Sequence, residues 1–294
     1  MTRVAFVGLG NMGTPMSRRL IEAGHDVVGS DPSVAARERL AEAGGSVADS
    51  AADAARGSAV VILMLPNSAV VRSVVDEMIG ADALADGALV IDMSSSEPLA
   101  TRELRDELAA HGVRFADAPV SGGVTGAVGG TLTIMVGSDP TDRDDLAQVL
   151  AELGRVVECG GVGAGHAVKA LNNLMSATHL WATSEAMEVA VRFGLDPKVV
   201  LDVVSGSSGR SGSTDNKWPN FIRPGTFDSG FGLRLMLKDM RIAEALAAEL
   251  GSPLELGSEA VAHWAAAAEA LPADADHTRV AQYIAEQAET GEAR

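Results

Sequence analysis

The chain has 294 residues, 47% of them hydrophobic and 3% aromatic, and a formal net charge of −17. This length suffices for two domains with a substantial core, which must be packed mainly with aliphatic side chains. The acidic balance argues against nucleic acid and anionic membranes as partners, since both require a basic surface, and an anionic substrate would need local cations.

A single cysteine, Cys159, allows no intrachain disulfide and favours a reducing compartment. Strand-like sequence begins by Arg3, so we expect no cleavable signal peptide. The longest apolar run, residues 59–66, is too short to cross a bilayer. These features predict a soluble cytoplasmic protein.

A glycine-rich turn follows the first predicted strand, residues 3–7. Apolar residues then recur with helical period at Met16, Leu20 and Ile21. Between a strand and a helix, such glycines permit a tight turn and close approach of a ligand, and the helix presents free N–H groups to a pyrophosphate. The motif predicts a dinucleotide site made by Gly8, Leu9, Gly10, Asn11, Met12 and Gly13.

An acidic residue, Asp31, follows the second predicted strand, residues 25–29. A carboxylate in this position accepts hydrogen bonds from the ribose hydroxyls of NAD and repels the 2′-phosphate of NADP. Asp31 and Pro32 also have the pattern of a helix N-cap followed by proline, and one residue can serve both purposes. We therefore expect NAD as the preferred cofactor, while Arg37 and Arg39 leave NADP as the alternative cofactor.

Strands and helices continue to alternate. We expect strands at residues 60–65 and 88–92, each followed by a helix. The alternation predicts an α/β fold with a Rossmann-type, doubly wound parallel sheet, whose ligand crevice lies at the carboxyl ends of the strands. Leu65, Pro66 and Ser95 therefore fall on the cofactor side, although serine there also suits helix capping.

A polar stretch rich in glycine, residues 117–126, follows Arg114-Phe115-Ala116 and precedes a strand predicted at 132–136. We expect the backbone N–H groups of Ser121, Gly122 and Gly123, with the Ser121 hydroxyl, to bind a substrate carboxylate. A flexible loop that binds nothing is equally consistent with this composition. A helix capped by Asp139 and a strand at residues 156–157 follow.

Residues 163–173 open a long predicted helix that runs to about Arg192, after which only helices are predicted. Lys169 and Asn173 are four residues apart, so their side chains leave the same face of that helix. Spacing alone also fits an exposed lysine and an ordinary helix asparagine. We expect a dinucleotide-binding domain at 1–162 and an all-helical domain at 163–294, with the interdomain helix at 163–193 carrying this pair at the seam, where small-molecule sites tend to lie.

The helical part begins its second helix at Asp196-Pro197 and then has a polar, glycine-rich loop at residues 205–213, either a lid or a connector. Further helices are predicted to end near Leu250, Ala270 and Gln287. The histidines lack metal-ligand spacing and no Cys/His cluster exists, so we expect no metal site. The Ala-rich helices have faces suited to packing against another copy, which predicts a homodimer or homotetramer.

Four motifs occur in the order of one known family. They are the glycine turn at residues 8–13, Asp117-Ala118-Pro119-Val120-Ser121-Gly122-Gly123, the Gly163-x-Gly165-x-x-x-Lys169-x-x-Asn172-Asn173 segment, and Lys238-Asp239. Together they resemble the 3-hydroxyisobutyrate dehydrogenases, or β-hydroxyacid dehydrogenases, over nearly the whole length. The resemblance implies an NAD(P)-dependent enzyme that oxidises a primary alcohol β to a carboxylate.

The resemblance also implies residue roles. The lysine matching Lys169 is the acid/base residue, the asparagine matching Asn173 assists it, and the lysine matching Lys238 contacts cofactor or substrate. Gly212 departs from the family, which often has tryptophan there, and Val70 stands where some members have a polar residue. Both departures bear on the substrate rather than the chemistry.

The expected function is therefore reversible oxidation of a small anionic β-hydroxyacid, similar to 3-hydroxyisobutyrate, to its semialdehyde. The same chemistry on L-serine, on tartronate semialdehyde or glycerate, or on a sulfonate such as sulfolactaldehyde is the alternative. A non-catalytic cofactor-binding scaffold is disfavoured because Lys169 and Asn173 are both present.

Overall fold

The computed structural model describes residues 2–290. The chain divides into two compact units, one ending at Lys169 and the other beginning at Ala170, so the division falls inside one long helix. We call them the N-terminal unit and the C-terminal unit. Among residues 2–290, no helix is both long and apolar enough to cross a membrane.

The described part of the N-terminal unit contains a nine-stranded sheet. Its strands are β1 (Arg3–Val7), β2 (Asp26–Ser30), β3 (Ser46–Val47), β4 (Val60–Leu63), β5 (Leu89–Asp92), β6 (Arg114–Asp117), β7 (Val120–Ser121), β8 (Leu132–Gly137) and β9 (Gly154–Gly160).

The sheet order is β3-β2-β1-β4-β5-β6-β8-β7, with β9 also paired to β8. The strands from β3 to β6 are all parallel, which confirms the predicted Rossmann-type fold. The far end differs from a wholly parallel sheet, because β8 runs antiparallel to β6 and β7. Only residues 122–131 join β7 to β8, fewer than a parallel crossover requires.

Helices of this unit cover both faces of the sheet. They are α1 (Gly13–Glu22), α2 (Val34–Glu42), α3 (Ala51–Ala55), α4 (Ser68–Gly80), α5 (Pro98–Ala110), α6 (Gly123–Gly129), α7 (Arg143–Leu150) and the start of α8 (Ala164–Phe193). A short 3₁₀ helix, Pro140–Asp142, precedes α7.

The core of the N-terminal unit consists of two layers, one on each face of the sheet, and successive residues of a strand belong to different layers. Phe6 and Ile62 belong to one buried cluster, while Ala5 and Val61 belong to the other. All four side chains are fully buried. Because successive residues of a strand point to opposite faces, a continuously apolar strand is buried by helices on both sides.

The described residues of the C-terminal unit form helices joined by loops, with an isolated β-bridge between Gly232 and Asp276. After α8 come α9 (Pro197–Ser205), a π-helical segment (Ser213–Ile222), α10 (Leu233–Glu249), α11 (Glu255–Ala270), a 3₁₀ helix (His277–Arg279) and α12 (Val280–Thr290). Its core is built around the fully buried Trp264, and Trp181 stacks on His263 with ring centroids 5.1 Å apart.

Two local predictions are wrong. Residues 117–126 are not irregular, since they contain β7 and the start of α6. Asp31 does not cap α2; that helix starts at Val34, and the Ser33 hydroxyl accepts the capping bond from Ala36 N. The loop predicted at residues 205–213 lies between α9 and the π-helical segment, which was not predicted.

Candidate active site

The glycine turn of the N-terminal unit lies between β1 and α1. Gly8 has φ of +96°, and a Cβ there would overlap the Met64 carbonyl oxygen. A Cβ on Gly13 would overlap the Gly8 carbonyl. A Cβ on Gly10, in contrast, would have no heavy atom within 4 Å, and Gly10 is exposed. The fold therefore needs the outer two glycines for its own packing, whereas Gly10 leaves open space of the kind a closely approaching dinucleotide fills.

The other motif residues divide between core and surface. Leu9 is fully buried and Met12 packs against the same core cluster, so only their backbones are placed to face a ligand. Asn11 is exposed and, with Gly10 and Arg39, lines a cavity of about 730 Å³ beside α1. The turn thus presents backbone N–H groups and polar side chains, as a pyrophosphate site requires.

Asp31 lies directly beyond the carboxyl end of β2 and is half-buried. One of its carboxylate oxygens accepts a hydrogen bond from Leu9 N at 2.8 Å, and the other accepts from Ser33 N at 2.7 Å. Its carboxylate is therefore fixed against the glycine turn. Each oxygen retains a second lone pair, so the group can still accept from a ribose hydroxyl.

The residues after β4 and β5 are linked to each other. Leu65 N donates to Ser94 Oγ at 2.9 Å, and Ser94 N donates to Asp92 Oδ1 at 2.9 Å. Ser95 is half-buried and Pro66 is exposed beside Leu65. All three predicted residues thus follow the carboxyl ends of neighbouring parallel strands, the edge at which β1 ends in the glycine turn.

The Ser121 segment connects β7 to α6. Ser121 is half-buried and pairs in register with Thr133 of β8, whereas Gly122 and Gly123 are exposed. Gly122 has φ of +132°, a conformation that side chains rarely adopt. The first N–H groups of α6 have no acceptor within their own helix. The predicted donors of Ser121, Gly122 and Gly123 therefore lie where β7 ends and α6 begins.

Asp117, at the end of β6, anchors the beginning of α8. It accepts hydrogen bonds from Gly163 N at 2.6 Å and from His166 N at 2.7 Å. Asp117 and His166 are both buried, and Thr101 Oγ1 lies 2.8 Å from His166 Nδ1. Burial raises the pKa of Asp117, against the opposing effects of His166 and the two N–H groups. Sequence reasoning missed this carboxylate, although it begins the Asp117–Gly123 motif.

The helix α8 buries two polar side chains besides apolar ones such as Leu174 and Leu180. Lys169 is 8% exposed and Asn173 is 5% exposed, while on other faces of the same helix Leu171 and Met175 are exposed. Since removing polar groups from water costs free energy, the burial of Lys169 and Asn173 indicates a role beyond packing.

In the C-terminal unit, Asn173 is oriented by an acidic residue. Asn173 Nδ2 donates to Asp239 Oδ2 at 2.6 Å, and Lys238 Nζ lies 3.1 Å from Asp239 Oδ1. Asp239 is buried, whereas the Lys238 side chain is 28% exposed. Asp239 therefore links two predicted site residues. The Lys238-Asp239 pair pointed to it, but its partner on α8 is 66 residues away in sequence.

In the described part of the chain, no three His, Cys, Asp or Glu side chains are grouped so as to hold a metal ion. The N-terminal unit instead carries a glycine turn, a carboxylate after β2, and a buried lysine at its last residue. Such a set of residues on a Rossmann-type domain is typical of an NAD(P)-dependent dehydrogenase.

Comparison with known proteins identifies the family. Residues 3–161 match the NAD-binding domain of 6-phosphogluconate dehydrogenase, and residues 163–284 match the NAD-binding domain of NADP-dependent 3-hydroxyisobutyrate dehydrogenase. The mitochondrial 3-hydroxyisobutyrate dehydrogenase of Drosophila melanogaster is 40% identical over 262 residues, covering 87% of this chain and 81% of the relative. That of Bos taurus is 38% identical, covering 88% and 80%.

A solved structure of Mycobacterium tuberculosis 3-hydroxyisobutyrate dehydrogenase with L-serine has a TM-score of 0.91 and 36% identity. The structural match covers 97% of this chain and 99% of the Mycobacterium tuberculosis chain. The chain belongs to the 3-hydroxyisobutyrate dehydrogenase family. It is an NAD(P)-dependent oxidoreductase that acts on a hydroxyacid.

Proposed function

We propose that this enzyme oxidises the primary alcohol of a small β-hydroxyacid, similar to 3-hydroxyisobutyrate, to the semialdehyde, with Lys169 as the acid/base residue. The observation that carries the proposal is the burial of Lys169 and Asn173 on one face of α8 while apolar residues of that helix are exposed. A buried amine costs less free energy when neutral, and a neutral amine is the form that accepts a proton.

In the oxidation, Lys169 Nζ accepts the proton of the substrate hydroxyl, and in the reverse reaction it returns a proton to that oxygen. The cofactor, when bound, supplies the two-electron acceptor at its nicotinamide ring. Asn173 is held by Asp239, so its second amide hydrogen is directed by that contact and can donate to the substrate oxygen. Lys238 contributes positive charge for cofactor or substrate.

The substrate carboxylate binds at Ser121, Gly122 and Gly123 in this proposal. The support is the arrangement of one hydroxyl and the unclaimed N–H groups at the start of α6. The recognition makes β-hydroxyacids better substrates than plain alcohols.

NAD is the preferred cofactor in this proposal. Asp31 places its carboxylate against the glycine turn, where a 2′-phosphate would meet a like charge. Gly8, Leu9, Gly10, Asn11, Met12 and Gly13 hold the pyrophosphate, while Leu65, Pro66 and Ser95 flank the cofactor. Initial rates with NAD⁺ and NADP⁺ at equal concentrations test this preference.

The replacement Lys169→Ala tests the acid/base role. We expect kcat/KM for 3-hydroxyisobutyrate to fall by about 100-fold or more, because general acid–base catalysis is typically worth that factor. Nicotinamide absorbance at 340 nm measures the rate. The matched control is Lys198→Ala, which removes a 65% exposed side chain of α9 paired with Asp202. A Lys169→Ala enzyme that keeps more than about a tenth of the wild-type value contradicts the proposal.

L-serine is the second candidate substrate, because the Mycobacterium tuberculosis relative was solved with that compound. Serine also carries a primary alcohol β to a carboxylate. A panel of 3-hydroxyisobutyrate, 3-hydroxypropionate, L-serine, glycerate and sulfonate analogues separates these substrates by kcat/KM.

We further propose a cytoplasmic homodimer or homotetramer. The single cysteine supports the compartment. Exposed apolar residues along α8 and α9 support the assembly, since contiguous apolar patches mark protein–protein contacts. These residues are Leu171, Met175, Val189, Phe193, Val199 and Val203. Light scattering on the eluting protein measures the number of subunits.

A further inference from the structure

His166 belongs to the first turn of α8, and its imidazole is buried near the ends of two strands. Its Nε2 lies 3.7 Å from Asp92 Oδ2 at the end of β5, and its Nδ1 lies 3.9 Å from Asp117 Oδ2 at the end of β6. Both distances are longer than a hydrogen bond. A buried imidazole that faces two carboxylates without bonding to either needs another group to fix its orientation.

Thr101, in the first turn of α5, is that group. Its Oγ1 lies 2.8 Å from His166 Nδ1. The same hydroxyl donates its single hydrogen to the Glu97 carbonyl oxygen at 2.9 Å, so at His166 it accepts, and Nδ1 is the ring nitrogen that carries hydrogen. Among residues 2–290, His166 Nε2 has no hydrogen-bond partner. The contact with Thr101 therefore sets the angle of the ring.

This hydrogen bond joins the start of α8 to the loop between β5 and α5, residues 93–97. That loop carries Ser95, one of the predicted cofactor residues. The first turn of α5 also contacts the segment before α8, since Arg102 Nε donates to Val162 O at 3.2 Å. The bond from His166 is thus a side-chain link between the helix that carries Lys169 and the cofactor side of the sheet.

Lys169 follows His166 by three residues, so the two side chains lie on one side of α8, a turn apart. Both belong to the N-terminal unit. Asp117 fixes the backbone of the first turn of α8 through Gly163 N and His166 N, but it does not bond to the imidazole. A rotation of this turn would displace the Lys169 amine, and a displacement of about 1 Å is enough to slow a catalysed reaction.

We propose that His166 is a positioning residue: its hydrogen bond to Thr101 holds the first turn of α8, and with it the Lys169 amine, against the loop between β5 and α5. The inference rests on the proposed function, because it takes Lys169 as the acid/base residue. His166 acts through the helix and not by contact with the reacting atoms. Loss of the bond should therefore lower kcat and leave the KM values nearly unchanged.

The first test removes the oxygen of Thr101 and then restores it. Thr101→Val keeps the size of the side chain, and we expect kcat with 3-hydroxyisobutyrate and NAD⁺ to fall about ten-fold, with both KM values within about two-fold of wild type. Thr101→Ser returns the hydroxyl and should keep about half of wild-type kcat or more. Dividing each kcat by the NAD⁺-binding stoichiometry from isothermal titration calorimetry removes any contribution from misfolded protein.

The second test changes His166. Asparagine offers an amide hydrogen near the position of Nδ1, whereas glutamine offers one near that of Nε2. We therefore expect His166→Asn to keep a kcat about three-fold or more above that of His166→Gln. Nitrogen NMR of the histidine side chains gives a reading independent of turnover. It should show hydrogen on Nδ1 of His166, and a ring with hydrogen on Nε2 alone would overturn the assignment.

The matched control is Thr183→Val. Thr183 also donates to a carbonyl one turn earlier in its own helix, His179 O at 2.6 Å, and its replacement should leave kcat and KM unchanged. Because Thr101→Val and His166→Gln remove the same bond, the double variant should be no slower than the slower single variant. If the His166 variants do not fold, the Thr101 pair carries the comparison.

The outcomes separate this inference from the proposed function. Wild-type kcat in Thr101→Val, no recovery in Thr101→Ser, or losses that multiply in the double variant would each refute the positioning role alone, provided that Lys169→Ala is inactive. Activity retained in Lys169→Ala, or absence of turnover by the wild-type enzyme, refutes the proposed function and the positioning role together.

Discussion

At the scale of single residues, the three glycines of the turn after β1 serve different purposes. Gly8 and Gly13 are required by contacts within the chain, whereas a Cβ on Gly10 meets open space. A methyl group at position 10 would therefore be tolerated by the fold but would intrude on a ligand that approaches the backbone. A substitution at Gly10 therefore tests cofactor binding, whereas one at Gly8 or Gly13 tests the stability of the fold.

We predict that Gly10→Ala keeps the melting temperature of the apoprotein within about 2 °C of wild type and weakens NAD⁺ binding by about ten-fold or more. Differential scanning fluorimetry and isothermal titration calorimetry measure the two quantities. Gly13→Ala is the matched control and should destabilise the fold, because its Cβ would overlap the Gly8 carbonyl. Equal NAD⁺ affinities of Gly10→Ala and wild type would show that the cofactor does not occupy the open space beside Gly10.

Residues with a motif of their own could be predicted, while residues that act through a distant partner could not. Spacing placed Lys169 and Asn173 on one helix face, the family resemblance gave them their expected roles, and the structure buries both. Asp239 and Asp117 were missed as partners because each makes its hydrogen bond across 46 to 66 residues of sequence. Spacing reveals which side chains share a helix face, but not which other element supplies the acceptor.

At the scale of elements, the beginning of α8 is held to the sheet by close backbone packing and one carboxylate. A Cβ on Gly165 would overlap the Met135 carbonyl of β8, so this glycine lets the helix lie against the strand. Asp117 accepts two N–H groups of the first turn, which otherwise have no acceptor. Together they fix the position from which Lys169 projects.

We predict that Asp117→Asn lowers the free energy of unfolding by about 1–3 kcal/mol, the range for a buried hydrogen bond to a charged group. The asparagine can offer one oxygen, but its amide hydrogens would face the second N–H group. Urea unfolding followed by circular dichroism measures the loss.

Asp196→Asn provides the comparison for Asp117→Asn. Asp196 caps α9 through Lys198 N at 2.8 Å and is exposed. Asparagine is a good N-cap, so this change should cost less than about 0.5 kcal/mol. Losses of equal size in the two variants would argue against a special anchoring role for Asp117.

Long elements with clear periodicity were predicted well, and short ones were not. The helix from residue 163 to about 192 matches α8, and Asp196-Pro197 begins α9 as expected. The seven-residue α6 contains three glycines and no helical pattern, so only its packing in the folded unit explains it. The π-helical segment contains Pro219, a residue that disfavours a helix interior, and no pattern predicted it.

At the scale of the whole molecule, the half-buried Lys217 makes stability depend on pH, because its surroundings lower the pKa of its amine. The pKa of Lys217 is about 8 in the folded protein and close to its ordinary value when unfolded. Between these values the unfolded chain binds more protons, so stability from this group rises as pH increases from about 8 to 10.5. Below pH 8 the lysine costs about 3 kcal/mol at most.

We predict that Lys217→Met raises the free energy of unfolding by about 1–3 kcal/mol at pH 7, and that the gain shrinks at pH 9.5. Urea unfolding of both proteins at the two pH values gives the difference. Asp276 and His277 lie near this amine, and burial lowers the pKa of His277. A variant that is less stable than wild type, or a gain independent of pH, would contradict the assignment of a costly buried charge.

The parallel, doubly wound sheet was predicted from alternating strands and helices, but its antiparallel edge was not. Its pairing depends on β7, a two-residue strand defined only by contact with β8.

One feature of α8 determines how this chain can be recombined with its relatives. Lys169 and Asn173 belong to a single continuous helix, and the hydrogen bonds that Asp117 accepts at its start come from main-chain N–H groups. A chimera joined upstream of Gly163 therefore inherits both side chains from one parent, and the anchoring bonds can form again if that parent keeps glycine at position 165. Laboratory shuffling of cofactor and substrate preference across this family has a natural crossover point there.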